Sequence, residues 1–347
     1  VYEILSLQQK IMPELLEVLQ KRYSILRTIY YNAPVGRRML SNLLGMSERI
    51  VRTEINFLKK QNLIDITSEG MKVTEEGEEV VDKLKELIHD LRGLHEIEEF
   101  LEKNLNVKKV FIVPGNADDN EIVLNEIGKT AASYIKERLK DNNIIALTGG
   151  SSVKKIIDNI PHIRSKNDIM VVPARGGIGG NVDVQSNTIA AKLANKLDAR
   201  YKMLHVPDNL SDSALKTIQK EKSIMEVLDL INNADILIYG IGRATKMAEK
   251  RGLGKEIVEK LEQLGAVGEA FGCYFNIEGE IIFSTPTIGI KNEQMTNVET
   301  SIAIAGGKRK AKAIIATEMY SKNSILFTDE GAAMEIMKIL SERETSN

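Results

Sequence analysis

The sequence holds a single cysteine, Cys273, and no tryptophan. A lone thiol cannot close an internal disulfide, so the expected compartment is the reducing cytoplasm. With only four scattered histidines beside that cysteine, no metal-ligand spacing is present and no metal is expected. No apolar run approaches the roughly 20 residues that cross a bilayer. The opening residues, Val1 to Lys10, lack the basic-then-apolar layout of a secretory signal, so no membrane partner is expected either. Internal repeats and low-complexity tracts are also missing. What remains is an ordinary globular composition in 347 residues, 43% hydrophobic and 28% charged, long enough that two domains are the default.

The net charge of -2 hides an asymmetry. From Lys21 to Asn62 nine Lys/Arg face two acids, whereas from Glu75 to Lys103 eleven acids face four bases. A concentrated basic segment suits local binding of a polyanion. On charge alone, a solvated helical face explains it as well.

The basic segment has a definite element order. Spacing at Ile11, Leu15, Val18 and Leu19 predicts a short opening helix, followed by a second over Arg22 to Tyr31. A third, from Gly36 to Leu44, stops at Gly45; a fourth begins at Ser47, a good N-cap, and runs to Gln61. Leu63 to Thr67 and Met71 to Thr74 form a hairpin around Gly70. Helix, helix, Gly-containing turn, helix and hairpin is the order of a winged helix-turn-helix, assigned to residues 1–74. Its last helix presents Ser47, Arg49, Arg52, Thr53 and Asn56 for base edges or phosphate. Lys59, Lys60 and Lys72 suit phosphate contacts that set position, and Arg37 and Arg38 join the DNA-binding set. Double-stranded operator DNA is therefore the expected partner, although the cap role of Ser47 could by itself explain that residue.

Glu75 to Lys103 reads as one long helix, a linker and dimerisation element assigned to residues 75–106. Val80, Leu84, Leu87, Leu91 and Leu94 are spaced like a coiled-coil seam, predicting a homodimer or a dimer of dimers. Packing on its own domain competes with that reading. Beyond residue 107 short β-branched runs alternate with amphipathic helices: Val110 to Val113, Ile144 to Leu147, Ile169 to Val172, Met203 to Val206, Ile236 to Tyr239, Ile302 to Ala305 and Ile325 to Thr328. Such runs predict a parallel sheet covered on both faces over residues 107–347, with an antiparallel insert at Phe271 to Phe283. The fold class is α/β, a winged helix-turn-helix followed by a larger parallel-sheet domain.

The parallel-sheet domain carries loops suited to an anion. Leu147-Thr-Gly149-Gly150-Ser151-Ser152 runs from a strand into a helix, so that amides and hydroxyls gather at a positive helix end. A plain strand-to-helix turn fits that loop equally well when it is taken alone. Arg175 lies in the Gly-rich stretch Pro173 to Gly180, and Lys308, Arg309 and Lys310 follow Gly306-Gly307. Two Gly-rich, base-bearing loops plus the Ser pair suit a ligand with two separated phosphates. Gly240-Ile-Gly242 lacks the third glycine of a dinucleotide fingerprint, so no nucleotide cofactor is expected.

The chain resembles the SorC/DeoR-type bacterial sugar regulators over nearly its whole length. The matching stretches are Pro34 to Arg38, Leu44 to Arg49, Leu147 to Gly150, Val172 to Gly177, Gly240 to Gly242, Glu269 to Gly272, Ala305 to Gly307 and Thr328 to Ala333. The resemblance implies a repressor of a glycolytic operon, induced by a phosphorylated sugar, fructose 1,6-bisphosphate. It also implies a Rossmann-like effector domain related to sugar-phosphate isomerases and deaminases. On the matching motifs it assigns phosphate to Gly149, Gly150, Ser151, Ser152, Arg175 and Lys310, and sugar hydroxyls to Gln185 and Glu269. The serines stand where the family has threonine, and Lys250 followed by Arg251 stands where it has arginine, so both basic residues are candidates. The competing reading is a sugar-phosphate isomerase or deaminase with an appended DNA-binding piece. It lacks a histidine in the Gly loops to move a proton.

Overall fold

Apolar residues recurring every three or four positions bury one stripe of a helix, α1 (Pro13–Asn32), through Leu16, Tyr23, Leu26 and Ile29. In the computed structural model, which describes residues 11–163, 168–177, 181–206, 210–290, 298–321 and 324–346, this single helix replaces the two expected there. No glycine or proline interrupts it between Leu19 and Arg22. Helix α2 (Arg37–Leu44) ends on Gly45, whose φ of 61° is the left-handed cap conformation. Helix α3 (Glu48–Lys60) starts at Ser47, whose hydroxyl accepts from the Ile50 amide at 3.4 Å.

Strands β1 (Ile64–Thr67) and β2 (Gly70–Val73) form the antiparallel wing. Val35 adds a third rung, exchanging backbone bonds with Met71 at 3.1 and 2.9 Å. That approach needs glycine next door: a Cβ on Gly70 would stand 3.0 Å from the Val35 nitrogen. Leu40, Val51, Ile55, Leu58 and Met71 close the core with Val81 and Ile88 of helix α4 (Glu75–Leu91).

The helix expected over Glu75 to Lys103 is two helices. α4 stops before Gly93, which has φ 64°, and α5 spans Leu94–Leu105. The two compact units of the chain divide between Gly93 and Leu94. Val80, Leu84 and Leu91 pack on the core of the N-terminal unit, whereas Leu94, Ile97 and Leu101 are buried in the second. Residues spaced like a coiled-coil seam thus serve two separate cores.

The second unit is a seven-stranded parallel sheet. Its strands are β3 (Lys109–Val113), β4 (Ile144–Leu147), β5 (Met170–Pro173), β6 (Arg200–Tyr201), β7 (Ile236–Gly240), β12 (Thr300–Ile304) and β13 (Ile325–Asp329). They lie in the order β3-β13-β12-β7-β4-β5-β6. Alternate residues feed opposite cores: Ile236, Ile238, Ile302 and Ile304 face one layer of helices, Leu237, Tyr239, Ala303 and Ala305 the other. Helices α6 (Glu121–Arg138), α7 (Ser151–Asn159) and α8 (Ser186–Leu197) cover the first face. α5 covers the second with α10 (Lys222–Asn232), α13 (Ala311–Ser321) and α14 (Glu330–Ser346); a short α9 (Asp212–Ile218) precedes α10.

Edge strand β3 is blunted by the acidic helix beside it, where Glu102 and Glu98 accept from the Val110 and Ile112 amides at 3.0 and 2.8 Å. Met203 to Val206, expected as a strand, is not one. Leu204 and Val206 are buried, but Leu204 exchanges its bonds with the Asn187 side chain and Val206 accepts from Gly177. The edge position falls instead to Arg200–Tyr201.

The expected antiparallel insert is part of a second, four-stranded sheet, β8 (Gly242–Arg243), β9 (Gly268–Ala270), β10 (Cys273–Phe275) and β11 (Ile281–Ser284). Helices α11 (Ala244–Lys250) and α12 (Lys255–Gln263) join β8 to β9. Among the described residues no helix is long and apolar enough to cross a membrane.

Candidate functional site

In the N-terminal unit, Val51, Ile55 and Leu58 turn one side of α3 inward, which forces its polar side out. Arg49, Arg52, Thr53, Asn56, Lys59 and Lys60 are all exposed, as are Ser47, Arg37, Arg38 and Lys72. The basic cluster is smaller than its charge count suggested. Glu54, buried on the inner side of α3, holds Lys21 and Arg22 at 2.8 Å each. Burial raises the Glu54 carboxyl, but the hydrogen bonds from those two cations outweigh it and leave it below the ordinary value. Arg22 also lies 3.5 Å from the centroid of the Phe57 ring. Two of the nine bases therefore fasten α3 to α1.

In the second unit the chain runs outward from β4 to β6 in one direction and from β7 to β13 in the other. β4 and β7 are neighbours, so the topological switch lies between their carboxyl ends, where ligands of open α/β sheets collect. A cavity of about 330 Å³ opens there. All ten residues assigned to an effector line it: Gly149, Gly150, Ser151, Ser152, Arg175, Gln185, Lys250, Arg251, Glu269 and Lys310.

The Ser loop has the makings of an anion cradle. Gly150 precedes α7 with φ 122° and no side chain caps the helix, which leaves first-turn amides facing the cavity. Gly149 is required by a close approach, since a Cβ there would stand 2.6 Å from the Val184 carbonyl oxygen. That carbonyl accepts from the Gly150 amide at 2.9 Å, tying the loop to the turn Val182–Val184 before Gln185.

The opposite wall is charged. Glu269, on β9, accepts from Arg251 at 2.6 Å and from the Gly272 amide at 2.7 Å, with Arg175 at 3.5 Å. Arg251 is buried in this pair, whereas Lys250 is exposed. Half-buried Lys310 completes the ring of charge. Burial pushes its ammonium down to about 8 against the pull of Asp329 and Asp118, with a further push from Arg243 and Lys250.

The second glycine loop departs from expectation. Its amides are already bound: Gly307 donates to Asp329 at 2.8 Å, Lys308 to Asn116 at 3.2 Å and Arg309 to Asp118 at 2.8 Å. Lys308 pairs with Glu335, so the loop brings only Lys310 to the cavity. Two cavity cations, Arg243 and Lys246, escaped the sequence reading; their signal was the ligand-side loop Gly240-Ile-Gly242 just before them, which was weighed there without the two bases that follow it.

Two family models divide the chain between them. Residues 18–88 match the CggR N-terminal DNA binding domain and residues 89–338 match Sugar-bind, a sugar-binding domain. The central glycolytic genes regulator of Priestia megaterium is 44% identical over 336 residues, covering 96% of this chain and 98% of the relative. The chain belongs to the family of central glycolytic genes regulators.

The Bacillus subtilis member of this family is 40% identical over 97% of the chain and 99% of its own length. Among solved structures, a SorC family transcriptional regulator from Enterococcus faecalis superposes with a TM-score of 0.66 at 36% identity, covering 70% of this chain and all of that one. The full-length sorbitol operon regulator SorC from Klebsiella pneumoniae, 18% identical over 90% of this chain and 96% of its own, shares the fold with a TM-score of 0.66. These relatives are transcriptional regulators, not enzymes. The chain is accordingly a DNA-binding transcriptional regulator with a sugar-binding domain.

Proposed function

We propose that this regulator represses glycolytic genes and is released from its operator by a doubly phosphorylated hexose, fructose 1,6-bisphosphate. The observation that carries the reading is the charge of the cavity: among the described residues six cationic side chains line it against the one carboxylate of Glu269. The Ser loop leaves β4 and Lys310 follows β12, with β7 between them. At roughly 5 Å per strand the two ends stand about 10 Å apart, on the scale of a hexose esterified at both ends. One phosphate would take the amides of α7 with Ser151 and Ser152, the other the cations near Lys310. Gln185 and Glu269 would meet the hydroxyls between.

The exposed face of α3 supports direct base contact by Arg49, Arg52 and Asn56, with Arg37, Arg38, Lys59 and Lys60 on phosphates. A homodimer or dimer of dimers would present two such helices to a two-part operator. Release by sugar requires that the sugar bind the DNA-free arrangement more tightly, and the coupling must then be reciprocal. Calorimetric titration of the full chain with fructose 1,6-bisphosphate tests the effector. Saturable binding that Ser152→Glu abolishes is the expected result; no heat at millimolar sugar, or binding indifferent to that substitution, overturns the assignment.

A further inference from the structure

Counter-ions are unevenly shared among the six cations of the cavity. Glu269 takes Arg251 and Arg175, and Glu249 takes Lys246 at 2.9 Å. Lys310 lies under the influence of Asp329 and Asp118. Lys250 is exposed, where water screens it. Arg243 differs from all of these. It is half-buried, it lines the cavity, and among the described residues no ion pair or hydrogen bond engages its guanidinium.

The backbone beneath Arg243 is firmly held. It ends β8 opposite Gly268, while Gly242 before it pairs with Glu269, the carboxylate that anchors Arg251. A Cβ on Gly242 would stand 2.3 Å from the Met247 side chain, so this turn is packed against α11. The guanidinium is thus carried on a fixed support into a partly desolvated space with no anion among the described residues to satisfy it. A planar fork of donors, charged at every physiological pH, matches two oxygens of one phosphate, which an ammonium cannot do.

We propose that Arg243 recognises the second phosphate of the effector and thereby makes the site select doubly over singly phosphorylated sugars. This assignment rests on the sugar-phosphate reading above. It leaves the Ser loop as the site of the first phosphate, common to both classes of sugar. Lys310 supports the same pole without fixing an orientation, and Lys250 adds only screened attraction. Arg243 therefore supplies the geometric discrimination.

Calorimetric titrations of the full chain with fructose 1,6-bisphosphate, fructose 1-phosphate and fructose 6-phosphate test it. In the wild type the bisphosphate binds more tightly than either monophosphate. Arg243→Ala weakens bisphosphate binding by about 10- to 100-fold, the worth of a charged hydrogen-bonding pair. It leaves the tighter monophosphate within about threefold, so the preference collapses. Arg243→Lys falls between, and Lys250→Ala changes the preference far less. An unaltered melting temperature in the variants shows that the fold is intact. Equal losses for all three sugars, or a preference that survives Arg243→Ala, overturn the assignment of Arg243 while leaving the effector reading in place. A wild type that binds none of the three overturns both.

Discussion

Arg251 Nη2 donates to Glu269 Oε1 at 2.6 Å in the cavity wall, and both side chains are almost wholly buried. The same oxygen accepts from the Gly272 amide and faces Arg175. One carboxylate thus fixes two arginines and a turn. Removing its charge strands buried cations, a change that costs about 3 kcal/mol or more when one member of a buried pair is lost. Glu269→Gln is expected to lower the thermal midpoint of the second unit and to weaken sugar binding. A scanning-calorimetry midpoint equal to the wild type would show that the pair does not brace the wall.

Gly149 makes a steric prediction at the other pole. A methyl group there would press on the Val184 carbonyl oxygen at 2.6 Å and on the Ser186 nitrogen at 3.1 Å, both of them backbone atoms that cannot rotate away. Gly149→Ala should destabilise by about 1–3 kcal/mol, as overpacking does, and should displace the turn that carries Gln185. Chemical denaturation with a parallel sugar titration checks both effects; wild-type values in each would refute the close approach.

Within the second core Glu318 is wholly buried and accepts from Tyr239 at 3.0 Å and from Ser321 and Ser324. Burial pushes its carboxyl up to about 7 despite those hydrogen bonds. An acid raised in the folded state stabilises when protonated: its contribution is complete below the unfolded value of 4.5 and is lost as pH rises through about 7. Burial also raises Asp329, in the same direction. The wild type should therefore melt at a lower temperature at about pH 8 than at about pH 6, with a smaller difference in Glu318→Gln. An identical pH dependence in the two proteins would remove Glu318 from the account.

Much of this architecture could be read from the chain. The strands β3, β4, β7, β12 and β13 announce themselves as apolar runs bounded by polar or glycine residues, because a sheet covered on both faces buries both sets of alternate side chains. Ser47 and Gly45 mark the ends of α3 and α2 by their capping chemistry. The misreadings have physical causes. Leu91 to Leu94 keeps a helical step of three across Gly93, so periodicity alone could not show the break. Leu204 and Val206 are apolar because they are buried, yet a side-chain amide, not a neighbouring strand, completes the backbone bonds of Leu204. The amides of Gly307 and Arg309 are taken by Asp329 and Asp118, residues far away in sequence that the fold alone brings near.

On the DNA side, Arg52 and Lys59 should behave differently. Arg52 lies on the outward face of α3 between Arg49 and Asn56, whereas Lys59 lies in its last turn. Arg52→Ala should weaken binding to the preferred duplex by about 1–3 kcal/mol and relax sequence preference, as loss of a paired base contact does. Lys59→Ala should weaken preferred and unrelated duplexes alike and reduce the salt dependence. Competition gel shifts at two salt concentrations separate the patterns; matching behaviour of the two variants would refute the division of roles.

The coupling of the two ligands is measured most directly by the affinity of the full chain for a duplex that it selects from a randomised pool, taken with and without saturating fructose 1,6-bisphosphate. Saturating sugar is expected to weaken DNA binding by at least about fivefold, the lower end of ordinary coupling energies, and the duplex to weaken sugar binding equally. Identical DNA affinity in the presence of a sugar shown to occupy the cavity would contradict this coupling.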